Sequence, residues 1–159
     1  MNSFKLPRRT FLGAAAAAWG LAAIGPALAK SPSAVEVEVW KDPECGCCKD
    51  WVAHLESKGF QVTVHDTGNN AVRAQLGMPQ KLGSCHTALV RGYVIEGHVP
   101  ASDIRRLLKD KPQALGLAVP GMPVGAPGMD GAVYGGRRDR HDVLLVLKDG
   151  SSQVFKSYF

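Results

Sequence analysis

Cys45, Cys47, Cys48 and Cys85 are the residues of this chain whose type and spacing carry the most chemistry, three of them within four positions. Three chemistries fit them. In an oxidising compartment four cysteines read as two disulfides. A Cys47–Cys48 bridge is disfavoured because neighbouring Cα atoms are only about 3.8 Å apart. Cys45–Cys48 fits well but leaves Cys47–Cys85 to close beside it, crowding two braces at one point. The second chemistry is dithiol exchange. Cys45-x-x-Cys48 falls at an expected helix start, where unpaired N–H groups stabilise thiolate, although Cys47 would compete for mixed disulfides. The third is a soft-metal site, since clustered thiolates select Cu(I), Zn(II) or iron–sulfur centres. Four thiolates around one Zn(II) leave a charge of −2, whereas four around four Cu(I) leave none. Only Lys41 and Lys49 lie near enough in sequence to offset the former. Charge therefore leans toward a polynuclear Cu(I) cluster. Cys47 and Cys48 diverge by about 100° on a regular helix, a spread easier to use when several ions share bridging sulfurs.

Other candidates stand around this group. His86 follows Cys85 directly and can ligate, hydrogen-bond a sulfur or simply pack. His98 reads as a loop histidine bonded to backbone, and His54 as solvated on its helix. His65 and His141 belong to no motif. Met122 and Met129 lie in a Gly/Pro-rich segment. They fill gaps in a core, or the segment folds over the cysteines as a lid and brings thioethers to the metal. No H-x-x-x-H, paired carboxylates or Ser-His-Asp order stands out, so hydrolase chemistry has little to rest on.

The elements that must position these residues are legible in part. Val35–Trp40 and Phe60–His65 alternate as strands. Between them Cys48, Trp51, Val52 and Leu55 recur at helical spacing, with Gly59 after the last turn. This β-helix-β unit suits a crossover. Asn69 or Asn70 is expected to cap a short helix that carries Val72 and Leu76 on one side and stops at Gly77-Met78-Pro79. Thr87–Val90 and Tyr93–Ile95 flank Arg91-Gly92 as two short strands or one interrupted hairpin. Ser102 is expected to cap a helix that buries Ile104, Leu107 and Leu108 and closes at Lys111-Pro112. Residues 116–136, with seven glycines and three prolines, are expected to hold neither helix nor central strand. A segment of this kind is a disordered insertion or a long loop held down for a purpose. Val143–Leu147 and Val154–Tyr158 form a closing hairpin around Lys148-Asp149-Gly150. Arg137–Arg140 reads as a wet loop. The sum is an α/β domain with a small mixed sheet, flanking helices and a long Gly/Pro loop, and its opening looks thioredoxin-like.

Ahead of that domain, residues 1–29 contain no acidic side chain and read as an export leader: a basic start, an uncharged Ala-rich run from Thr10, and Ala27-Leu28-Ala29 as a small-x-small cleavage site. Arg8-Arg9-Thr10-Phe11-Leu12 resembles the twin-arginine signal, with Pro7 where Ser or Thr is preferred, and points to the bacterial periplasm. The alternative is a retained anchor, weakened by Gly13, Gly20, Gly25 and Pro26 in a marginal length. Cleavage would leave residues 30–159 as a single domain. The 159-residue chain carries 19 basic and 14 acidic residues. Losing Lys5, Arg8 and Arg9 lowers the net charge from +5 to +2, so the basicity is no sign of nucleic-acid binding.

The run Trp40-Lys41-Asp42-Pro43-Glu44-Cys45-Gly46-Cys47-Cys48-Lys49-Asp50-Trp51 resembles the DUF411 family of bacterial copper-resistance-associated periplasmic proteins. The likeness continues through Ser84–Ala88, Gly92–Pro100, Gly116–Pro123 and Gly125–Met129, and spans Val35 to Phe159. It implies a thioredoxin-like fold and a multinuclear Cu(I) cluster held by Cys45, Cys47, Cys48 and Cys85. It also implies a role in copper resistance or homeostasis, with copper ions and a periplasmic copper-handling or redox protein as partners. Thiol–disulfide exchange through Cys45 and Cys48, and a zinc or iron–sulfur site, remain the alternatives. On the copper reading Cys47 and Cys48 seed the cluster at the helix start, while Cys45 and Cys85 complete it. A separation of Cys85 from the other three beyond about 10 Å would remove the site, given metal–sulfur bonds near 2.3 Å.

Overall fold

A computed structural model describes residues 34–159; the leader expected over residues 1–29 lies outside them. Among the described residues the seven strands are β1 (Val35–Lys41), β2 (Phe60–His65), β3 (His86–Val90), β4 (Tyr93–Glu96), β5 (Gly116–Ala118), β6 (His141–Val146) and β7 (Ser152–Tyr158). Three α-helices accompany them in the same residues, α1 (Gly46–Ser57), α2 (Asn70–Gln75) and α3 (Ala101–Asp110). The strands form one mixed sheet in the order β2-β1-β3-β4-β5-β6-β7. β1–β2 and β4–β5 are parallel, and the remaining pairs are antiparallel.

Alternation along the strands gives the sheet two covered faces. Val37, Val39, Ala88, Val90, Ile95, Leu117, Val143 and Leu145 pack with Trp51, Val52 and Leu55 of α1 and with Ile104 and Leu107 of α3. On the other register Val94, Ala118 and Val146 meet Met78 and Leu82, from the segment that follows α2. The buried positions of α1 are Cys48, Trp51, Val52 and Leu55, the set that the helical spacing picks out. Cys48 thus belongs to the apolar stripe that fixes the helix against the sheet.

Three expectations are corrected. Residues 116–136 do contribute a central strand, since β5 lies buried between β4 and β6. Its glycine is what the packing needs: a Cβ at Gly116 would sit 1.7 Å from the Val94 carbonyl oxygen. Asn69 holds the N-cap position of α2, but its side chain makes no cap bond; the buried residue of the helix is Arg73, while Leu76 packs half-buried against the second cluster. Asn69 Nδ2 instead reaches the Ser84 carbonyl and Thr87 Oγ1, each at 3.2 Å. Finally, α3 is preceded by Pro100 rather than capped by Ser102. Its first N–H, on Ala101, donates to His54 Nε2 at 3.2 Å, so His54 is a half-buried bracket between helices. No helix among the described residues is long and apolar enough to cross a membrane.

Candidate metal centre

The turn into the cysteines is set by Asp42. Its side chain accepts the Glu44 N–H at 2.9 Å and its carbonyl accepts the Cys45 N–H at 3.1 Å. Cys45 occupies the N-cap position of α1 in extended conformation and makes no side-chain cap. Its carbonyl still receives the Lys49 N–H, so Cys47 and Cys48 start on the first helical turn. Cys85 arrives from the residue before β3, 38 positions beyond Cys47.

All four Sγ atoms lie within 4.8 Å of one another, well inside the separation beyond which the site would fail. Cys47 Sγ is 3.6 Å from Cys45 Sγ and 3.8 Å from Cys85 Sγ. The pairing among them is partial: Cys45 and Cys48 are joined by a disulfide, while Cys47 and Cys85 are free thiols. The two-disulfide arrangement is therefore not the one adopted. Neither are the four sulfurs all reduced, as a thiolate cluster requires.

Two histidines border the sulfurs, and His98 is the residue the sequence reading undervalued. Its bond to backbone is present, with the Pro127 carbonyl 2.8 Å from Nδ1. A carbonyl only accepts, so Nδ1 carries the proton and Nε2 keeps its lone pair. That lone pair faces Cys85 Sγ at 3.2 Å. His86 Nδ1 is 3.5 Å from the same sulfur, and its ring leans on Trp51 at 4.3 Å between centroids. Cys85, His86 and His98 form a second group within 4.8 Å, with Cys85 common to both. His98 falls within the Gly92–Pro100 run, but its contact with Cys85 follows from the antiparallel pairing of β3 with β4 and leaves no local signal.

Burial governs the protonation of this group. It pushes the Cys85 thiol up to about 12, and the neighbouring Cys47 adds to the rise. Burial likewise lowers His98, and lowers His86 well below the usual imidazole value, with His98 contributing. The metal-free centre at neutral pH is thus a protonated Cys85 between two neutral imidazoles. An ion entering here must displace a thiol proton, and His98 Nε2 is placed to accept one or to offer its lone pair. Of the two lysines near in sequence, Lys41 is already engaged, paired with Asp66 and donating to the Asp42 carbonyl. This leaves only the exposed Lys49 to offset a net −2 on the sulfurs.

The Gly/Pro segment is held down over the centre. Gly128 lies against the start of α1, where a Cβ would meet the Cys47 carbonyl oxygen at 2.5 Å and the Trp51 nitrogen at 2.8 Å. The Pro127 carbonyl takes His98, and the Gly121 carbonyl takes the Ser84 hydroxyl. Met129 is buried, with its sulfur 3.3 Å from the Tyr134 hydroxyl. Met122 is exposed and lines an open cleft of about 360 Å3 together with Cys85, Ser84 and Arg73.

The family described as "Protein of unknown function, DUF411" matches residues 82–129, which hold Cys85, both histidines and the covering loop. Among solved structures the chain is similar to "Copper resistance protein copG- Form 1", with 44% identity and a TM-score of 0.73 over 79% of this chain and 98% of that one. It is equally similar to "Copper resistance protein copG- Form 2", with 44% identity and a TM-score of 0.72 over 79% and 99% of the two chains. No curated protein matches it.

Proposed function

The chain belongs to the DUF411 family, and on that premise we propose that it is an exported copper-binding protein that takes up Cu(I) on Cys45, Cys47, Cys48 and Cys85 in a multinuclear thiolate cluster. The observation that carries this reading is the convergence of four sulfurs within 4.8 Å, drawn from a helix start and from a loop far away in sequence. We read β1-α1-β2 with β3-β4-α3, in the order β2-β1-β3-β4, as a thioredoxin-like core extended by β5, β6 and β7. Residues 1–29 serve as the leader that delivers residues 30–159 to the periplasm. A copper-handling or redox protein there would be the partner.

Loading requires the Cys45–Cys48 bond to open. Two electrons and two protons from a dithiol reductant convert the disulfide to two thiols, and the reductant leaves as its own disulfide. Copper then replaces protons on four thiols, with His98 beside Cys85 taking the proton that is hardest to remove. Because each thiolate cancels one Cu(I) charge, a four-copper cluster is neutral, which suits sulfurs that are buried or half-buried. Uptake releases protons and so strengthens as pH rises. Bound metal ties the start of α1 to the Cys85 loop, so the loaded protein melts higher than the reduced metal-free form.

Anaerobic titration of fully reduced protein with Cu(I) tests this reading. It expects more than one copper per chain, and a lower count for Cys47→Ser and for Cys85→Ser. One equivalent or less in the parent chain contradicts it. A second reading, thiol–disulfide exchange, is favoured by the Cys45–Cys48 bond at the start of α1. It predicts turnover on a disulfide substrate that is indifferent to Cys47→Ser, whereas a free thiol 3.6 Å from Cys45 Sγ is an internal competitor. One zinc per chain, or the colour of an iron–sulfur centre, would mark the third.

A further inference from the structure

Arg73 and Glu96 form a buried ion pair whose place in the fold neither the apolar pattern nor the sulfur chemistry explains. Glu96 is fully buried and Arg73 nearly so, with Arg73 Nε 2.8 Å from Glu96 Oε1. The same Oε1 accepts the Ser84 N–H at 2.7 Å. An Arg73 Nη–H donates to the Ser84 carbonyl, which also takes Asn69 Nδ2. Glu96 Oε2 accepts the Thr87 hydroxyl at 2.6 Å, and Asn69 reaches that hydroxyl as well. Both polar groups of one peptide residue are thus held by one buried pair, and that residue is the immediate neighbour of Cys85.

An ion pair taken out of water is a poor source of stability compared with apolar packing. What it supplies here is direction. The loop before β3 has no ladder bonds of its own at Ser84, while Cys85 must meet Cys47 across 38 residues of chain. Two charges with fixed fork geometry pin the Ser84 backbone from both sides, and Gly83 allows the close approach, since a Cβ there would sit 2.9 Å from an Arg73 nitrogen. We infer that Arg73 and Glu96 are positioning residues for metal capture: they hold the Ser84 peptide so that Cys85 Sγ is presented to Cys47. This deepens the copper reading and rests on it only for the identity of the ion.

The test uses the full chain with Cys45→Ser and Cys48→Ser, where the rate at which an oxidant such as diamide closes a Cys47–Cys85 bridge reports presentation without any metal. In that background Glu96→Gln and Arg73→Gln slow closure about tenfold, by analogy with the 10–100-fold losses seen when groups behind a metal ligand are removed. Arg73→Lys, which keeps the charge but not the fork, falls between. In the chain with all four cysteines the same variants weaken Cu(I) binding, measured against a competing chelator, by a similar factor. Asp103→Asn is the control. Asp103 is another buried acid, bonded to the Tyr158 hydroxyl at 2.7 Å and paired with Lys156, and its loss lowers melting while leaving both readouts unchanged. Should Glu96→Gln fail to fold, Arg73→Lys carries the prediction. Closure at the parental rate in the Arg73 and Glu96 variants overturns the inference, as does equal slowing by Asp103→Asn. A parent chain that closes the bridge as described but takes up no Cu(I) sinks the copper reading and leaves the positioning role standing.

Discussion

Replacing Gly128 by alanine probes the covering loop at its tightest contact. The added Cβ would lie 2.5 Å from the Cys47 carbonyl oxygen, 2.8 Å from the Trp51 nitrogen and 3.2 Å from the Trp51 Cα. All three are backbone atoms of α1, so no side chain can turn aside. Reaching ordinary contact near 3.5 Å requires the loop to back away by about 1 Å. A shift of that size carries the Pro127 carbonyl, now 2.8 Å from His98 Nδ1, beyond hydrogen-bond range. Gly128 also has φ of +83°, which costs a residue with a Cβ about 1–2 kcal/mol. The lost bond to His98 adds about 1 kcal/mol, so the expected destabilisation is roughly 2–3 kcal/mol. For a domain of this size that lowers the melting temperature by about 10 °C. Calorimetry of the metal-free protein reads the stability, and imidazole nitrogen shifts read the tautomer of His98, which loses its single Nδ1–H form. A Gly128→Ala protein that melts within about 2 °C of the parent and keeps the His98 tautomer would refute the argument that this loop is clamped to the helix carrying Cys47.

Three further outcomes follow from the same structure. Burial lowers the His54 pKa, so unfolding binds a proton that the folded state refuses: stability holds above the unfolded value of about 6.5 and declines as pH falls below it. His54→Ala flattens that decline in melts taken across mildly acidic pH. Gly116→Ala drives a Cβ into the Val94 carbonyl at 1.7 Å and costs more than about 4 kcal/mol, read as loss of the native near-ultraviolet signal. The Cys85 thiol is raised from 9.0 to about 12, so the metal-free folded chain keeps a proton that the unfolded chain releases above pH 9. Denaturant melts should therefore show stability falling between pH 9 and 12, and Cys85→Ser should remove that component.

What could be read from the chain alone follows the range of the interactions involved. The stripe of α1, the β2 strand and the β6–β7 hairpin depend on neighbours a few residues away, so periodicity and turn chemistry reveal them. The density of the four cysteines marked them as a candidate site, although their approach within 4.8 Å of one another depends on pairing between β1 and β3. Nothing in the sequence marks Arg73, because its partner, Glu96, lies 23 residues on and a buried charge shows no periodicity. β5 escaped notice because three residues rich in small side chains give too little alternation to recognise. Ser102 carried the ordinary cap signal, but a histidine from another helix supplies the acceptor. His98 acquired its role from two contacts, Cys85 and Pro127, that lie 13 and 29 positions away.

X-ray absorption at the copper edge, on the reduced and loaded protein, addresses the four-sulfur cluster most directly. The account predicts monovalent copper with a sulfur-dominated inner shell at about 2.3 Å and a copper–copper neighbour beyond it, the latter weakened by Cys85→Ser. Sulfur neighbours with no copper–copper scattering, or a signal indifferent to Cys85→Ser, would contradict a shared thiolate cluster.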